Sequence, residues 1–161
     1  MNQLKQPYID YFQSPIGTIE LTASDKGVTS LYFKNTNHKV QRCAVLDKVK
    51  QQLAEYFSGK RKTFDVTLDL HGTNFQQQVW QALLTVGFGH TDSYGSLAQK
   101  LNNPKAVRAV GAANGKNPVS IIVPCHRIMG SNGKLTGYAG GLDRKEWLLK
   151  HEGVCGSRIE I

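Results

Sequence analysis

The chain has 161 residues, 40% of them hydrophobic and 20% charged, and a formal net charge of +8. That apolar content excludes wholesale disorder, and a chain this long buries roughly 70% of its unfolded surface without disulfide staples. No apolar run approaches the roughly 20 residues of a membrane span. Residues 1–7 lack a signal-peptide stretch, and three Cys with no CxxC argue against a disulfide framework or a zinc knuckle. A reducing cytoplasm, no membrane and no bound metal are therefore the expectation.

The first part of the chain reads as strands. Residues 8–12 are followed by a Ser14-Pro15-Ile16-Gly17 turn, residues 18–23 alternate, Asp25-Lys26-Gly27 turns again, and residues 28–33 are rich in β-formers. Together they predict an antiparallel meander. Residues 40–57 have helical spacing, with Val45, Val49, Leu53 and Tyr56/Phe57 on one face, Cys43 near the start and Ser58-Gly59-Lys60 as the stop. Residues 64–70 alternate once more and predict another strand. This region holds no nucleophile–base pair and no ligand cluster, so it reads as a structural α+β domain, residues 1–73.

His71-Gly72-Thr73-Asn74 marks a boundary, and residues 74–161 read as a second, mostly helical domain. Thr73 or Asn74 caps a helix predicted over residues 75–86, with Phe75, Val79, Leu83 and Val86 in phase. Asp92 or Ser93 caps a short helix that buries Leu97, Ala98 and Leu101. Pro104 suits the first position of the next helix, which has Val107 and Val110 inward and is closed by Gly115. Two short helices joined by a tight turn predict a helix-turn-helix. An amphipathic helix over residues 142–150 leads to Glu152.

The charge is uneven. No acid occurs between Asp92 and Asp143, and the gap carries Lys100, Lys105, Arg108, Lys116, Arg127 and Lys134. Such a surface attracts polyanions, although charge alone does not separate a nucleic-acid face from a solubilising one. The second helix of the pair is mostly small residues, with Lys105, Ala106, Arg108 and Ala109 at its start. Small residues suit close, shape-dependent contact in a narrow groove, with Arg108 as a wedge into the base stack. An Ala/Gly-rich core helix is the alternative.

Asn117-Pro118 and Pro124 frame a short apolar segment, predicted to be a buried extended piece that delivers Cys125. A thiol reacts as its thiolate, which neighbouring cations favour, and His126 and Arg127 follow directly. Adjacent residues on an extended segment point apart, so His126 would take the proton through a bridging water. An acid, Asp143, Glu146, Glu152 or Glu160, would orient the imidazole. An inert buried Cys beside a solvent-facing His is the alternative, as is a Cys–His hydrolase.

Pro124-Cys125-His126-Arg127 after Asn117-Pro118 resembles the active-site motif of the O6-alkylguanine-DNA alkyltransferases. The resemblance extends through Ser93-Tyr94-Gly95, residues 106–111, Gly137-Tyr138-Ala139-Gly140-Gly141 and residues 145–153, in order. It implies an RNase H-like N-terminal domain and a winged-helix-like C-terminal domain, an α+β chain overall. The implied activity is direct reversal of DNA damage. Cys125 accepts the alkyl group of O6-alkylguanine, with O4-alkylthymine as a further substrate to test, and is consumed in one event. The implied roles are a relay of His126, water and Glu152, and a turn held by Asn117. Tyr94 sits by the flipped base, and Tyr138 and the Ala139 N–H stand at the pocket. The carbonyls of Cys125 and Ile128 accept from the guanine amino group. Arg108 replaces the flipped nucleotide, with Lys105, Ala106, Ala109 and Arg127 on the DNA side. No cofactor is implied. The expected partner is duplex DNA bound by a monomer, with cooperativity left open. Two departures stand out: Gly87-Phe88-Gly89 replaces the family's Pro-Tyr-Gly or Pro-Trp-Gly, and Ala139 replaces a common Ser.

Overall fold

The structure, a computed structural model, describes residues 7–130, 133 and 135–154. Residues 1–6, Lys134, Cys155 and the tail 156–161 lie outside the described residues. The chain divides into two compact units, Met1–His71 and Gly72–Ile161.

In the first unit, β1 (Tyr8–Ser14), β2 (Gly17–Ala23) and β3 (Val28–Phe33) form the antiparallel meander in the order β1-β2-β3. The Ser14 hydroxyl donates to Gly17 O at 2.7 Å and closes the first turn. Gly27 has φ +159, and a Cβ there would lie 2.6 Å from Thr67 O, so the second turn tolerates no side chain. Ile19, Leu21 and Leu31 pack with Leu46, Val49, Leu53 and Tyr56 of helix α1 (Ala44–Phe57) into a dry core.

Two expectations for this unit are corrected. Helix α1 starts at Ala44 rather than at residue 40, because Gln41 is held by Ile9 in backbone bonds of 2.9 and 3.0 Å and cannot join a helix. Residues 64–70 do alternate in burial but make a single bridge, Val28 with Leu68, rather than a strand. Part of the missing ladder is supplied by a side chain. The buried Gln52 amide accepts from Asp65 N–H at 2.9 Å and donates to Asp65 O at 3.3 Å.

In the second unit, Thr73 is the cap of α2 (Asn74–Leu83). It forms a capping box with Gln76. Ser93 caps α3 (Tyr94–Lys100), its hydroxyl accepting from Ser96 N–H at 3.0 Å. Helix α4 (Val107–Gly115) completes the pair and α5 (Leu142–His151) ends in Glu152. Helix α4 begins at Val107, so Pro104 lies in the preceding turn, where Ala106 N–H bonds Asn103 O at 2.9 Å. Val107 was expected inward but is 40% exposed, while Val110 is fully buried. Trp80, unnoticed in the pattern, is buried and donates its indole N–H to Ala113 O at 2.9 Å, tying α2 to α4.

A short parallel pair, β4 (Asp92–Ser93) with β5 (Ile128–Met129), joins the start of α3 to the exit of the Cys125 segment. This pairing sets Tyr94, the first residue of α3, relative to Cys125.

Candidate active site

The segment before Cys125 is buried, as expected, but it is not extended. Val123 N–H bonds Val119 O at 3.0 Å and Ile122 N–H bonds Ser120 O at 2.8 Å, so the chain turns between the two prolines. The turn is strained, since Ile121, a β-branched residue, has φ +71. Asn117 holds it. Its amide donates to Val123 O at 2.7 Å and accepts from Val119 N–H at 3.0 Å. Cys125–Arg127 then forms a 3-10 turn that sends successive side chains in different directions.

His126 points inward and is fully buried, its Nε2 2.8 Å from Glu152 Oε2. The same carboxylate receives Arg127 Nε at 2.7 Å and Nη2 at 3.0 Å, while Arg127 Nη1 donates to Val86 O at 2.7 Å. Burial opposes the Glu152 charge, but the hydrogen bonds and charges of His126 and Arg127 outweigh it and hold the carboxyl at about 2. Burial lowers the His126 pKa, with Glu152 acting in the opposite direction, so the imidazole is neutral at pH 7. An ionised carboxylate at Nε2 requires the proton there. His126 Nδ1, buried and without a hydrogen-bond partner among the described residues, is then the free lone pair of the ring.

Arg127 was expected on the DNA side and is not there. It is 7% exposed and spent on Glu152 and Val86, with Phe88 of the Gly87-Phe88-Gly89 loop 5.9 Å from its guanidinium carbon. A bidentate guanidinium–carboxylate pair removed from water is a framework element rather than a polyanion contact. The acid-free window shrinks accordingly. Lys100 is exposed but pairs with Asp92 at 2.6 Å, which leaves Lys105, Arg108 and Lys116 as the window's exposed cations outside an ion pair among the described residues. Arg108 and Ala109 lie on the exposed side of α4, and Ala106 is the half-buried residue before it.

The Cys125 thiol is also not held ionised by that window. Burial raises its pKa, and the Asn117 and Ser120 side chains and the Lys145 charge pull only partly the other way. Lys145 is the residue the sequence reading missed. It is fully buried on α5 and donates Nζ to Ile128 O at 2.6 Å and Thr136 O at 2.9 Å, and burial lowers its pKa to about 8 while the Cys125 charge opposes the shift. Only its position in the motif 145–153 hinted at a role, since a Lys on an amphipathic helix normally faces solvent.

Cys125 opens into a cavity of about 260 Å³ lined by Tyr94, Gly111, Asn114, Gly115, Gly137, Tyr138 and Ala139 as well. Tyr94 Oη is 3.0 Å from Thr136 Oγ1, and its ring covers Gly111, where a Cβ would sit 3.8 Å from it. The Tyr138 ring lies edge-on to His126, 6.5 Å between centroids. Burial above all, then the Cys125 charge, raises the Tyr138 phenol well above its ordinary value, so it stays protonated. Cys125, Tyr94, Tyr138 and Ala139 therefore line one pocket; His126 and Glu152 form a buried pair beside Cys125, Asn117 holds the turn before it, and the Ile128 carbonyl is engaged by Lys145. The arrangement suits a thiol that stays protonated until a neutral base removes its proton inside a water-poor site.

Residues 74–154 match the family model described as 6-O-methylguanine DNA methyltransferase, DNA binding domain. Residues 8–70 match that of the ribonuclease-like domain of the same family. A methylated-DNA–protein-cysteine methyltransferase from Methanosarcina acetivorans is 48% identical over 155 residues, 92% of this chain and 99% of that one. The crystal structure of the Mycobacterium tuberculosis O6-methylguanine methyltransferase aligns with TM-score 0.80 and 45% identity, covering 89% of this chain and 92% of that one. A crystal structure of the Mycobacterium tuberculosis protein in complex with DNA aligns with TM-score 0.81 and 46% identity, covering 88% and 91%. With both units matched and identity close to half over nearly the whole length, this chain belongs to the 6-O-methylguanine DNA methyltransferase family.

Proposed function

We propose that this protein repairs O6-alkylguanine in duplex DNA by moving the alkyl group irreversibly to its own Cys125. The observation that carries the reading is the buried thiol at the cavity, next to a neutral His126 whose tautomer is set by an ionised Glu152. The relatives named for the same transfer, and the DNA complex of one of them, support it.

The chemistry follows from these groups. His126 Nδ1 takes the Cys125 proton through a water, and Glu152 stabilises the imidazolium that results. Thiolate sulfur attacks the alkyl carbon, the carbon–O6 bond breaks, and its electron pair leaves on guanine. Tyr94 supplies a hydrogen bond to the departing base, which takes a proton from water and ends as neutral guanine, while the His126 imidazolium returns its proton to solvent. The Ala139 N–H faces O6, and the Asn117 turn holds the Cys125 segment in place. A thioether is a poor leaving group toward water, so S-alkylcysteine persists and each molecule acts once. The alkylated oxygen lies inside the duplex, so the nucleotide must be flipped out to reach the thiol. Exposed Lys105, Arg108, Ala109 and Lys116 form the face for minor-groove contact, with Arg108 filling the vacated stack. O4-alkylthymine, carrying an alkyl group on the corresponding exocyclic oxygen, is a second substrate to test.

Incubation with duplex carrying O6-methylguanine, followed by intact mass measurement, tests this. One adduct of about 14 Da, a single CH₂ on Cys125, is expected, and none in Cys125→Ala. No adduct on a reduced, folded sample overturns the proposal.

A further inference from the structure

One oxygen of Glu152 is shared. Oε2 receives His126 Nε2 at 2.8 Å and Arg127 Nη2 at 3.0 Å, while Oε1 receives Arg127 Nε at 2.7 Å. All three side chains are buried. A carboxylate removed from water needs a full positive charge beside it. Where an imidazole is left to supply that charge, the pair takes up a proton from solvent. It ends as imidazolium with carboxylate, or as imidazole with a carboxylic acid that donates to Nε2. Either way the ring carries a proton on Nδ1 and cannot take one from a thiol.

We infer that Arg127 is a positioning residue for the transfer: its guanidinium supplies the charge that Glu152 needs, so His126 holds a single proton, on Nε2, and keeps Nδ1 open for the Cys125 proton. The inference rests on the alkyl-transfer reading, in which His126 is the base. The charges balance at each stage. Before the step, Arg127 and Glu152 cancel and His126 is neutral. In the step the S–H bond of Cys125 breaks, an N–H bond forms at Nδ1 through the bridging water, and the imidazolium is matched by the thiolate. The other groups facing His126 do not replace Arg127. Cys125 precedes it on the same turn, and Tyr138 stands edge-on with its phenol protonated. Lys145 of α5 adds a like charge that opposes the imidazolium, but its Nζ is directed to Ile128 O and Thr136 O.

The test compares the protein with Arg127→Met, which removes the charge, and Arg127→Lys, which keeps it. Long-range proton–nitrogen spectra of histidine-labelled protein report the charge and tautomer of each ring, and His126→Gln identifies the His126 signals. Single-turnover transfer from duplex carrying O6-methylguanine is measured at pH 6 and pH 8, and the ratio of the two rates within one preparation does not depend on the fraction that is folded. At pH 7, His126 should be neutral with its proton on Nε2 in the protein and in Arg127→Lys, and protonated on Nδ1 in Arg127→Met. The rate at pH 6 relative to pH 8 should fall about tenfold in Arg127→Met and be largely restored in Arg127→Lys. A proton on Nδ1 in the unsubstituted protein overturns the inference without any variant. Two variants that behave alike, whether changed, unchanged or unfolded, mark a role in shape or stability alone and overturn it too. No transfer by the unsubstituted protein defeats the alkyl-transfer reading, while the spectra still decide whether Arg127 sets the His126 proton.

Discussion

Replacing Glu152 by Gln would test whether one carboxylate serves both stability and chemistry. Glu152 is 3% exposed and receives His126 at 2.8 Å and Arg127 at 2.7 and 3.0 Å. Its carboxyl is held at about 2 against an ordinary 4.5, so ionisation is worth about 3 kcal/mol of folded-state preference. The depressed value means that this contribution is complete above pH 4.5 and is lost as the pH falls through about 2. Gln at this position leaves the Arg127 guanidinium buried and unpaired, at a cost of about 3–5 kcal/mol at pH 7. With a urea slope of about 2 kcal/mol per molar, the midpoint would drop by about 2 M. Both tryptophans, Trp80 and Trp147, lie in the second unit, so their fluorescence reports the unit that contains the pair. At pH 3 the unsubstituted protein has given up about 2 kcal/mol of that preference, and the gap to Glu152→Gln should narrow by that amount. A gap below about 1 kcal/mol at pH 7, or one that stays constant between pH 7 and pH 3, would refute the assignment.

Lys145→Met removes the buried cation that lowers the Cys125 pKa, and the thiol should then alkylate several-fold more slowly with iodoacetamide at pH 8. Equal rates would show that Lys145 supports the loop through Ile128 and Thr136 without affecting the sulfur. Arg108→Ala should slow transfer from duplex by about tenfold or more while leaving transfer from a free O6-alkylguanine base unchanged, and equal losses on both contradict the wedge. Affinity for undamaged duplex should fall with salt with a log–log slope of about 0.9 per phosphate contacted, and each of Lys105→Ala and Lys116→Ala should reduce that slope by about one. A salt-independent affinity would remove the exposed start of α4 as a DNA face.

Much of this was legible before any coordinates. Turn residues between runs of β-formers, with alternation over residues 18–23, located the meander, because branched and aromatic side chains suit a pleated surface. Thr73 or Asn74, and Asp92 or Ser93, marked two helix starts because cap chemistry is local, and the hydrogen bonds single out Thr73 and Ser93. The resemblance to the alkyltransferases pointed to Cys125, His126 and Glu152, and the structure buries all three, with His126 Nε2 2.8 Å from Glu152. Residues 64–70 misled because alternation also describes an extended segment whose backbone is served by a side chain, here Gln52.

What local pattern could not decide is where each charge ends up. Arg127 and Lys145 look alike in sequence, as basic residues inside a site motif, and the net charge of +8 counts both as surface. The fold returns α5 to the Cys125 turn, and 25 residues of separation become a 2.7 Å contact between Arg127 and Glu152. That contact takes one cation off the exposed surface, and the same return buries Lys145 near the sulfur. Composition and periodicity identify which groups are available. Whether a titratable or polar group is solvated, paired or left with an open valence depends on contacts distant in the chain, and only the tertiary structure sets those.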